Sequence, residues 1–192
     1  MQPAARLEHV TVEDYLAGER VSDIKHEYVG GVLYAMAGAT KDHNRLTLNV
    51  YTLLQSRLRK SKCQAFAVDL KVRLEFLGDD VFYYPDVVVG CDSRDTTEEY
   101  LSFPKVICEV LSDSTERLDR REKRWSYQTI ETFEEYFIIA QDKVEVTVFR
   151  RAKDWQAEVF TKLSDKIELK SLKLSLPVTS ISEGVSAAKA TT

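Results

Sequence analysis

Two apolar segments, VFYYPDVVV at residues 81–89 and VICEVL at residues 106–111, decide the fold of this 192-residue chain. Both are rich in β-branched and aromatic residues, which favours strands that are largely buried. Each contains one acid, Asp86 in the first and Glu109 in the second. Burying a carboxylate among Val, Ile and Leu is costly unless it is paired or bound to a metal. The two acids therefore indicate a site shared by two neighbouring strands.

A purely structural role is the alternative for each acid. Asp86 follows Pro85 and suits a turn at the start of a strand, and Glu109 suits a salt bridge to a helical Arg or Lys. A metal site here would need hard oxygen ligands, because no histidine or cysteine pairs with these acids in the sequence. Such a donor set favours Mg²⁺ or Mn²⁺ over zinc.

The rest of the chain predicts alternating helices and strands. Thr11 with Asp14 has the form of a capping box, Gly30-Gly31 indicates a hairpin, and Thr40 caps a long helix with apolar residues at the 3.6-residue period. The predicted elements are a helix to about Gly18, strands at about 25–29 and 31–36, a helix to about Lys60, a strand at 66–76, the two acid-bearing strands, a helix from Ser114 or Thr115 to about Ile130, and strands near 135–140, 144–150 and 155–160. We predict one α/β (α+β) domain over residues 1–185, a mixed sheet flanked by helices, and a disordered tail over 186–192.

Counting along the chain places Lys123 at the height of Glu109. If the strand ends near Leu111 and the next helix runs back along the sheet, Glu109 lies roughly 7 Å below the turn at about 3.3 Å per residue. Lys123 follows Glu116 on that helix and lies roughly 10 Å below the turn at about 1.5 Å per residue. The alternative is an ordinary surface pair between Asp119 and Lys123 on one helix face.

Composition excludes several classes of protein. The net charge of −4 argues against a protein that coats nucleic acid by bulk electrostatics, although basic clusters at 57–62 and 117–124 could hold phosphates or could be solvated helix faces. The apolar stretches are too short for a membrane helix. Three cysteines without a CxxC pair favour a reducing, cytoplasmic compartment.

An ordered set of motifs resembles the Uma2 family. It comprises Pro85-Asp86, then Glu109-Val110-Leu111-Ser112, then Asp119, Lys123 and Tyr127, with Glu27-Tyr28-Val29-Gly30-Gly31 and His43 upstream. The match runs from about Thr11 to Val185. That family is placed among the restriction-endonuclease-like folds of the PD-(D/E)xK superfamily. The resemblance implies a mixed sheet with flanking helices, Mg²⁺-dependent phosphodiester cleavage and a homodimer. Our hypothesis is therefore metal-dependent hydrolysis of DNA.

The resemblance also implies roles for individual residues. Asp86 and Glu109 correspond to the two acids of the superfamily, and Glu27 to an additional acid near the metal. The superfamily usually has a lysine two residues after the second acid, where this chain has Leu111, and Lys123 fits that role from the following helix.

The candidate residues are therefore as follows. The catalytic candidates are Asp86, Glu109, Lys123 and Glu27, the metal ligands are Asp86, Glu109 and the main-chain carbonyl of Val110, and the contacts to phosphate or to the site are His43, Arg120 and Arg124. His43 is equally well interpreted as a polar residue of the first helical turn. The alternative function is a catalytically inactive nucleic-acid-binding or protein-interaction module on the same fold, which the missing lysine at position 111 and the acidic net charge keep open.

Overall fold

The computed structural model describes residues 9–111 and 122–189, and the two acid-bearing segments lie side by side in it. Strand β6, Val87–Gly90, runs antiparallel to strand β8, Pro104–Val110, with Val87 opposite Cys108. Extending this register by one residue places Asp86, which directly precedes β6, opposite Glu109 of β8. The predicted adjacency of these two segments is confirmed.

Eleven further strands, five α-helices and a short 3₁₀-helix at Arg151–Lys153 are found in the described part of the chain. The strands are β1 His26–Val29, β2 Val32–Ala35, β3 Gln64–Ala67, β4 Lys71–Phe76, β5 Asp79–Tyr83, β7 Tyr100–Leu101, β9 Glu135–Ile139, β10 Val146–Arg150, β11 Ala157–Phe160, β12 Lys166–Leu169 and β13 Leu174–Pro177. The helices are α1 Val12–Glu19, α2 Lys41–Leu58, α3 Arg124–Tyr127, α4 Val178–Ile181 and α5 Ser186–Lys189. None of the helices found in residues 9–111 and 122–189 is long and apolar enough to cross a membrane.

The strands form two mixed sheets and a separate hairpin. The order in the six-stranded sheet is β11-β10-β9-β8-β6-β3, with β8 and β9 parallel, and the order in the five-stranded sheet is β2-β1-β5-β4-β7, with β4 and β7 parallel. Strands β12 and β13 form the hairpin. The predicted mixed-sheet α+β fold is confirmed, with two sheets in place of one.

Three apolar clusters hold these layers together. Helix α2 packs its buried residues, Leu46, Val50, Leu54 and Leu58, on one face of the six-stranded sheet. A second cluster, centred on Tyr127 of α3, fills the space between the two sheets. A third lies where α1 packs on the five-stranded sheet. The site described below lies at the seam between the two sheets.

Local signals in the sequence are confirmed at three places. The hydroxyl of Thr11 accepts the main-chain N–H of Asp14 at 3.1 Å and begins α1, and the hydroxyl of Thr40 accepts that of His43 at 3.1 Å and begins α2. Gly30 and Gly31 have φ angles of +53° and +87°, which the two-residue turn between β1 and β2 requires.

Two predicted strands are wrong in extent, because each is divided between the two sheets. The strand predicted at 66–76 breaks at Val68 into β3 of the six-stranded sheet and β4 of the five-stranded sheet. The segment 81–89 breaks at residues 84–86 into β5 and β6 in the same way. An apolar pattern reports burial, and a chain that crosses between two packed sheets stays buried as it crosses.

The C-terminal region is more ordered than the sequence predicts. The β12–β13 hairpin and α4, which were not predicted, bury Ile167, Leu176 and Ile181 in the same cluster as α2. Val185 is also buried in this cluster, and α5 covers residues 186–189 of the tail for which disorder is predicted, while residues 190–192 lie outside the described residues. The predicted start of the helix at Ser114 or Thr115 lies outside the described residues, and α3 ends at Tyr127 rather than at Ile130.

A disulfide joins Cys63 to Cys91, with a Cα–Cα distance of 4.1 Å. The two residues lie one position beyond the pair formed by Gln64 of β3 and Gly90 of β6. This pairing was not predicted from the sequence, and Cys108 is free and buried. The pairing depends on β3 and β6 being neighbours, which a separation of 28 residues in the sequence does not show.

Candidate active site

Asp86 and Glu109 are joined by a reciprocal pair of hydrogen bonds. The main-chain N–H of Asp86 donates to Oε2 of Glu109 at 3.2 Å, and that of Val110 donates to Oδ2 of Asp86 at 2.7 Å. Each carboxylate is thus bound to the main chain of the strand or segment that carries the other acid. Glu109 is buried, whereas the Asp86 side chain is 20% exposed. Glu109 therefore lies at the buried end of the site and Asp86 at the end that solvent reaches.

Lys123, which precedes α3, and Glu27 of the five-stranded sheet complete this group. The Nζ of Lys123 lies 2.8 Å from Oε1 of Glu27 and 3.9 Å from Oε1 of Glu109. Glu27 on β1 also accepts the main-chain N–H of Tyr84 at 3.1 Å. The structure therefore brings all four predicted catalytic residues together, and it places Lys123 beside Glu109 as the counting of heights predicted.

A strained turn adjoins Asp86. The N–H of Val68 donates to the carbonyl of Asp86 at 3.1 Å, and the N–H of Asp69 donates to the carbonyl of Ala67 at 2.9 Å. Val68 has a φ of +73°, which is costly for a β-branched residue. Strain of this kind is kept where the surroundings enforce it, and here it carries the chain from one sheet to the other beside the site.

Two buried phenols line the inner wall. The Oη of Tyr127 lies 3.4 Å from Oε1 of Glu109, and the Nζ of Lys123 lies 5.3 Å from the ring centre of Tyr83. Burial, and then the charge of Glu109, raises the pKa of Tyr127 well above its ordinary value. Burial also raises the pKa of Tyr83. Both phenols therefore stay neutral, and Tyr127 is a donor to the carboxylate.

His43 approaches Asp86 from the first turn of α2. Its Nε2 lies 3.4 Å from Oδ2 of Asp86, an ion pair when the imidazole is protonated. Thr40 fixes this turn through its cap, and its hydroxyl also donates to the side-chain carbonyl of Gln141 at 2.7 Å. The structure thus brings the predicted contact residue His43 to the site.

Of the two predicted arginine contacts, the structure describes Arg124. Its guanidinium lies over the ring of Phe149, 4.4 Å from the ring centre, and Phe149 belongs to the apolar cluster between the sheets. Arg120, like Asp119, lies outside the described residues. Arg57 of the basic cluster at 57–62 binds the carbonyl of Ser175 at 2.7 Å, and it lies about 21 Å along α2 from His43 at about 1.5 Å per residue. That cluster is remote from the acids.

The donor chemistry of the site fits a hard divalent cation. Asp86 and Glu109 offer carboxylate oxygens. Val110 donates its main-chain N–H to Asp86, and its main-chain carbonyl lies on the same strand as Glu109. Within residues 9–111 and 122–189, no three His, Cys, Asp or Glu side chains are arranged to hold a metal ion by themselves. A cation here would need carbonyl, water or phosphate oxygens as further ligands, which is the usual coordination of Mg²⁺.

Sequence reasoning missed Glu19 and Tyr84, which contact the residues around this site. Tyr84 immediately precedes Pro85-Asp86, and its hydroxyl donates to Oε2 of Glu19 at 2.8 Å. Burial, and then the hydrogen bond to Glu19, raises the pKa of Tyr84, so it also stays neutral. The available signal was the position of Glu19 as the last residue of a helix, where the helix dipole disfavours an acid.

Comparisons with known proteins identify a family and two relatives. A family model described as "Uma2: Putative restriction endonuclease" matches residues 12–179. Two proteins of Synechocystis sp. are similar along most of their length: "Uncharacterized protein slr1290" is 32% identical over 185 residues, covering 95% of this chain and 96% of that protein, and "Uncharacterized protein sll1609" is 31% identical over 159 residues, covering 81% and 89%.

The fold has a counterpart among solved structures. A crystal structure described as "a putative nuclease belonging to DUF820" from Anabaena variabilis superposes with a TM-score of 0.72 at 18% identity, covering 90% of this chain and 97% of that chain. The family match contains Glu27, Asp86, Glu109 and Lys123 and extends from α1 into α4. The chain belongs to the Uma2 family.

Proposed function

We propose that this protein is a Mg²⁺-dependent endonuclease, active also with Mn²⁺, that hydrolyses DNA phosphodiester bonds. The observation that carries the proposal is the reciprocal bonding of Asp86 and Glu109 with Lys123 poised at 3.9 Å from Glu109. The description of the family as restriction endonucleases supports the same chemistry.

The charge of the site favours a cation. The ammonium of Lys123 lies 2.8 Å from the carboxylate of Glu27 and 3.9 Å from that of Glu109, and Asp86 is bonded reciprocally with the segment that carries Glu109. His43 adds a positive charge only when it is protonated. Carboxylates that lie close together repel one another when ionised, and a divalent ion held between Asp86 and Glu109 would lower that repulsion.

Each residue then has a distinct task. Asp86 and Glu109 would hold the cation, which when bound polarises the phosphoryl group and activates water. Lys123, oriented by its ion pair with Glu27, would offset the negative charge that grows on the phosphoryl oxygens as water adds to phosphorus and the bond to the leaving oxygen breaks. His43, beside the exposed side of Asp86, would contact a phosphate oxygen of the substrate.

Plasmid nicking tests this proposal. Asp86→Asn removes the charge and keeps the shape of the side chain, so we expect Mg²⁺-dependent conversion of supercoiled plasmid to the open circle to be abolished while thermal unfolding is little changed. Asp80→Asn is the matched control, because Asp80 pairs with Arg73 in the five-stranded sheet, outside the site. Equal nicking by Asp86→Asn and by the unaltered protein would contradict the proposal.

The inactive binding module is the second candidate, and Leu111 is the observation that favours it, since the superfamily lysine is absent from that position. Calorimetric titration with Mn²⁺ separates the two functions. Heat that disappears in Asp86→Asn supports a metal site, whereas DNA binding without any Mn²⁺ heat supports the module. The homodimer stays a prediction, which light scattering of the purified protein tests.

A further inference from the structure

Glu19 forms an unusually complete set of hydrogen bonds for an acid at the end of a helix. Its side chain is 6% exposed. Its oxygens accept the hydroxyl of Tyr84 at 2.8 Å, Nδ1–H of His26 at 2.8 Å and the main-chain N–H of His26 at 3.2 Å. The helix dipole and the loss of water both disfavour a carboxylate at this position, so these contacts must compensate for two costs.

The partners of Glu19 are the chain neighbours of the site acids. His26 directly precedes Glu27 on β1, and Tyr84 lies two residues before Asp86 in the crossing segment between β5 and β6. The main-chain N–H of Tyr84 also donates to Oε1 of Glu27 at 3.1 Å. One carboxylate outside the site therefore ties together the two backbone segments that carry two of its acids.

Two lysines contact Tyr84 and help to hold it in this position. The Nζ of Lys71 lies 3.4 Å from the hydroxyl and 5.3 Å from the ring centre, and the Nζ of Lys25 lies 5.9 Å from the ring centre. Lys71 is itself buried. The hydroxyl thus donates to Glu19 and accepts from Lys71, which fixes both its direction and its place.

The attachment of α1 to the sheet does not depend on Glu19. The ring of Tyr15 packs on Tyr28 and Phe82, with centroid distances of 5.0 and 5.2 Å. This aromatic cluster is buried and lies on the helix and the strands themselves. Removal of the Glu19 charge should therefore leave α1 in place.

We propose that Glu19 is a positioning residue of the active site, acting through Tyr84 and His26 to set the distance between Glu27 and the Asp86–Glu109 pair. The inference rests on the proposed nuclease function for its catalytic consequence, and on the hydrogen bonds alone for its structural consequence. Helix α1 is, on this basis, part of the frame that holds the carboxylates rather than a peripheral element.

The experiment compares Glu19→Gln with Glu99→Gln. Glu99 forms a bidentate pair with Arg20, the residue after Glu19, so its variant removes an acid that binds the same helix end without touching Tyr84 or His26. Calorimetry with Mn²⁺ should show an affinity lowered by about 10-fold or more in Glu19→Gln and unchanged in Glu99→Gln. In nicking kinetics kcat should fall in Glu19→Gln with KM for plasmid unchanged.

Amide exchange without metal provides an independent measure. The N–H groups of Tyr84 and Val110 bond to Glu27 and Asp86, so Glu19→Gln should speed their exchange with deuterium and Glu99→Gln should not. Tyr84→Phe, which removes one oxygen only, should reproduce the effect if Glu19→Gln is too unstable to purify. Unchanged exchange at both amides overturns the proposal. Changed exchange in a protein that neither binds Mn²⁺ nor nicks DNA upholds the positioning role and refutes the nuclease function.

Discussion

Two clusters of buried charge lie on the neighbouring strands β8 and β9, and they differ in how their acids are satisfied. Glu109 on β8 is 3% exposed and Glu135 on β9 is 2% exposed. Their cationic partners are buried to the same degree, Lys123 at 6% and Arg150 at 4% exposure. Burial alone therefore does not separate a site from a structural ion pair.

The Glu135 cluster is closed by donors. Glu135 accepts Nε–H of Arg150 at 3.2 Å, the main-chain N–H groups of Lys170 and Ser171 at 3.0 and 3.2 Å, and the hydroxyl of Ser171 at 2.5 Å. Arg150 also pairs with Glu158, which pairs with Lys153. Two acids thus have two cations, and the oxygens of Glu135 are turned to the main chain of a neighbouring loop.

The Glu109 cluster is built differently, because it groups three acids, Glu27, Asp86 and Glu109. The ammonium of Lys123 lies closer to Glu27, at 2.8 Å, than to Glu109, at 3.9 Å, and Asp86 is bonded reciprocally with the segment that carries Glu109. The Glu135 cluster is built as a structural support. The Glu109 cluster is built as a site that a cation would complete. What distinguishes the two is that the acids of the Glu109 cluster lie next to one another and that Asp86, 20% exposed, opens this cluster to solvent.

The largest expected effect is on cleavage. Glu109→Gln and Glu135→Gln make the same chemical change on adjacent strands. We expect Glu109→Gln to lower the rate of Mg²⁺-dependent nicking by at least about 10³-fold, about 4 kcal/mol of activation free energy, because it removes a proposed cation ligand. Glu135→Gln should retain nicking at temperatures where it is folded. Equal losses in the two variants would show that the clusters do not differ in function.

The same two variants should show the reverse order in stability. Glu135→Gln leaves the buried guanidinium of Arg150 short of a charge partner, and such losses cost about 3–5 kcal/mol of unfolding free energy. Glu109→Gln relieves repulsion among carboxylates, so its unfolding free energy should be unchanged or higher. Urea denaturation followed by circular dichroism measures both values. A Glu109→Gln protein as unstable as Glu135→Gln would contradict the comparison.

The disulfide tests whether stability can be lost without touching either cluster. Cys63 and Cys91 close a loop with a sequence separation of 28 at the end of β6 away from Asp86. Loop entropy assigns such a link about 3–4 kcal/mol, which Cys63→Ser should remove. Nicking measured well below the melting temperature should stay within a few-fold of the unaltered protein. A large loss of nicking at that temperature would show that the β3–β6 edge controls the site.

The acid-bearing strands could be predicted because their signal is local. Asp86 and Glu109 stand inside apolar runs, and Lys123 follows from counting residues along a strand and a helix. Glu135 also begins an apolar run, but its partners Lys170 and Ser171 come from a hairpin that the sequence did not indicate. The Glu135 cluster could therefore not be predicted before the fold was known.

The contacts that cross between layers could not be predicted. The breaks at Val68 and at residues 84–86 keep the apolar pattern intact while the chain changes sheets. The bond from Tyr84 to Glu19 spans 65 residues. Such contacts depend on which strands are neighbours, and a single sequence does not carry that information.

Tyr127→Phe should give the smallest loss of stability and nicking, and it tests whether this phenol is part of the Glu109 cluster. The hydroxyl lies 3.4 Å from Glu109, a long hydrogen bond, while the ring packs edge-on against Tyr83 with centroids 5.5 Å apart and is unaffected by the change. We expect a loss of about 0.5–1.5 kcal/mol in unfolding free energy. The nicking rate should fall only a few-fold, with no shift of the pH profile, because burial keeps the pKa of Tyr127 above the working range.

Tyr28→Phe is the control for this last prediction, since its hydroxyl donates to the carbonyl of Val10 at 3.0 Å, away from the acids. It should match Tyr127→Phe in stability and leave nicking unchanged. A loss of nicking in Tyr127→Phe that approaches the loss in Glu109→Gln would place the phenol among the groups that contact the reacting phosphate. A loss of only a few-fold confines its role to holding Glu109. The main-chain N–H of Asp86 still donates to the other oxygen of Glu109 when the phenol is removed, so the carboxylate stays oriented.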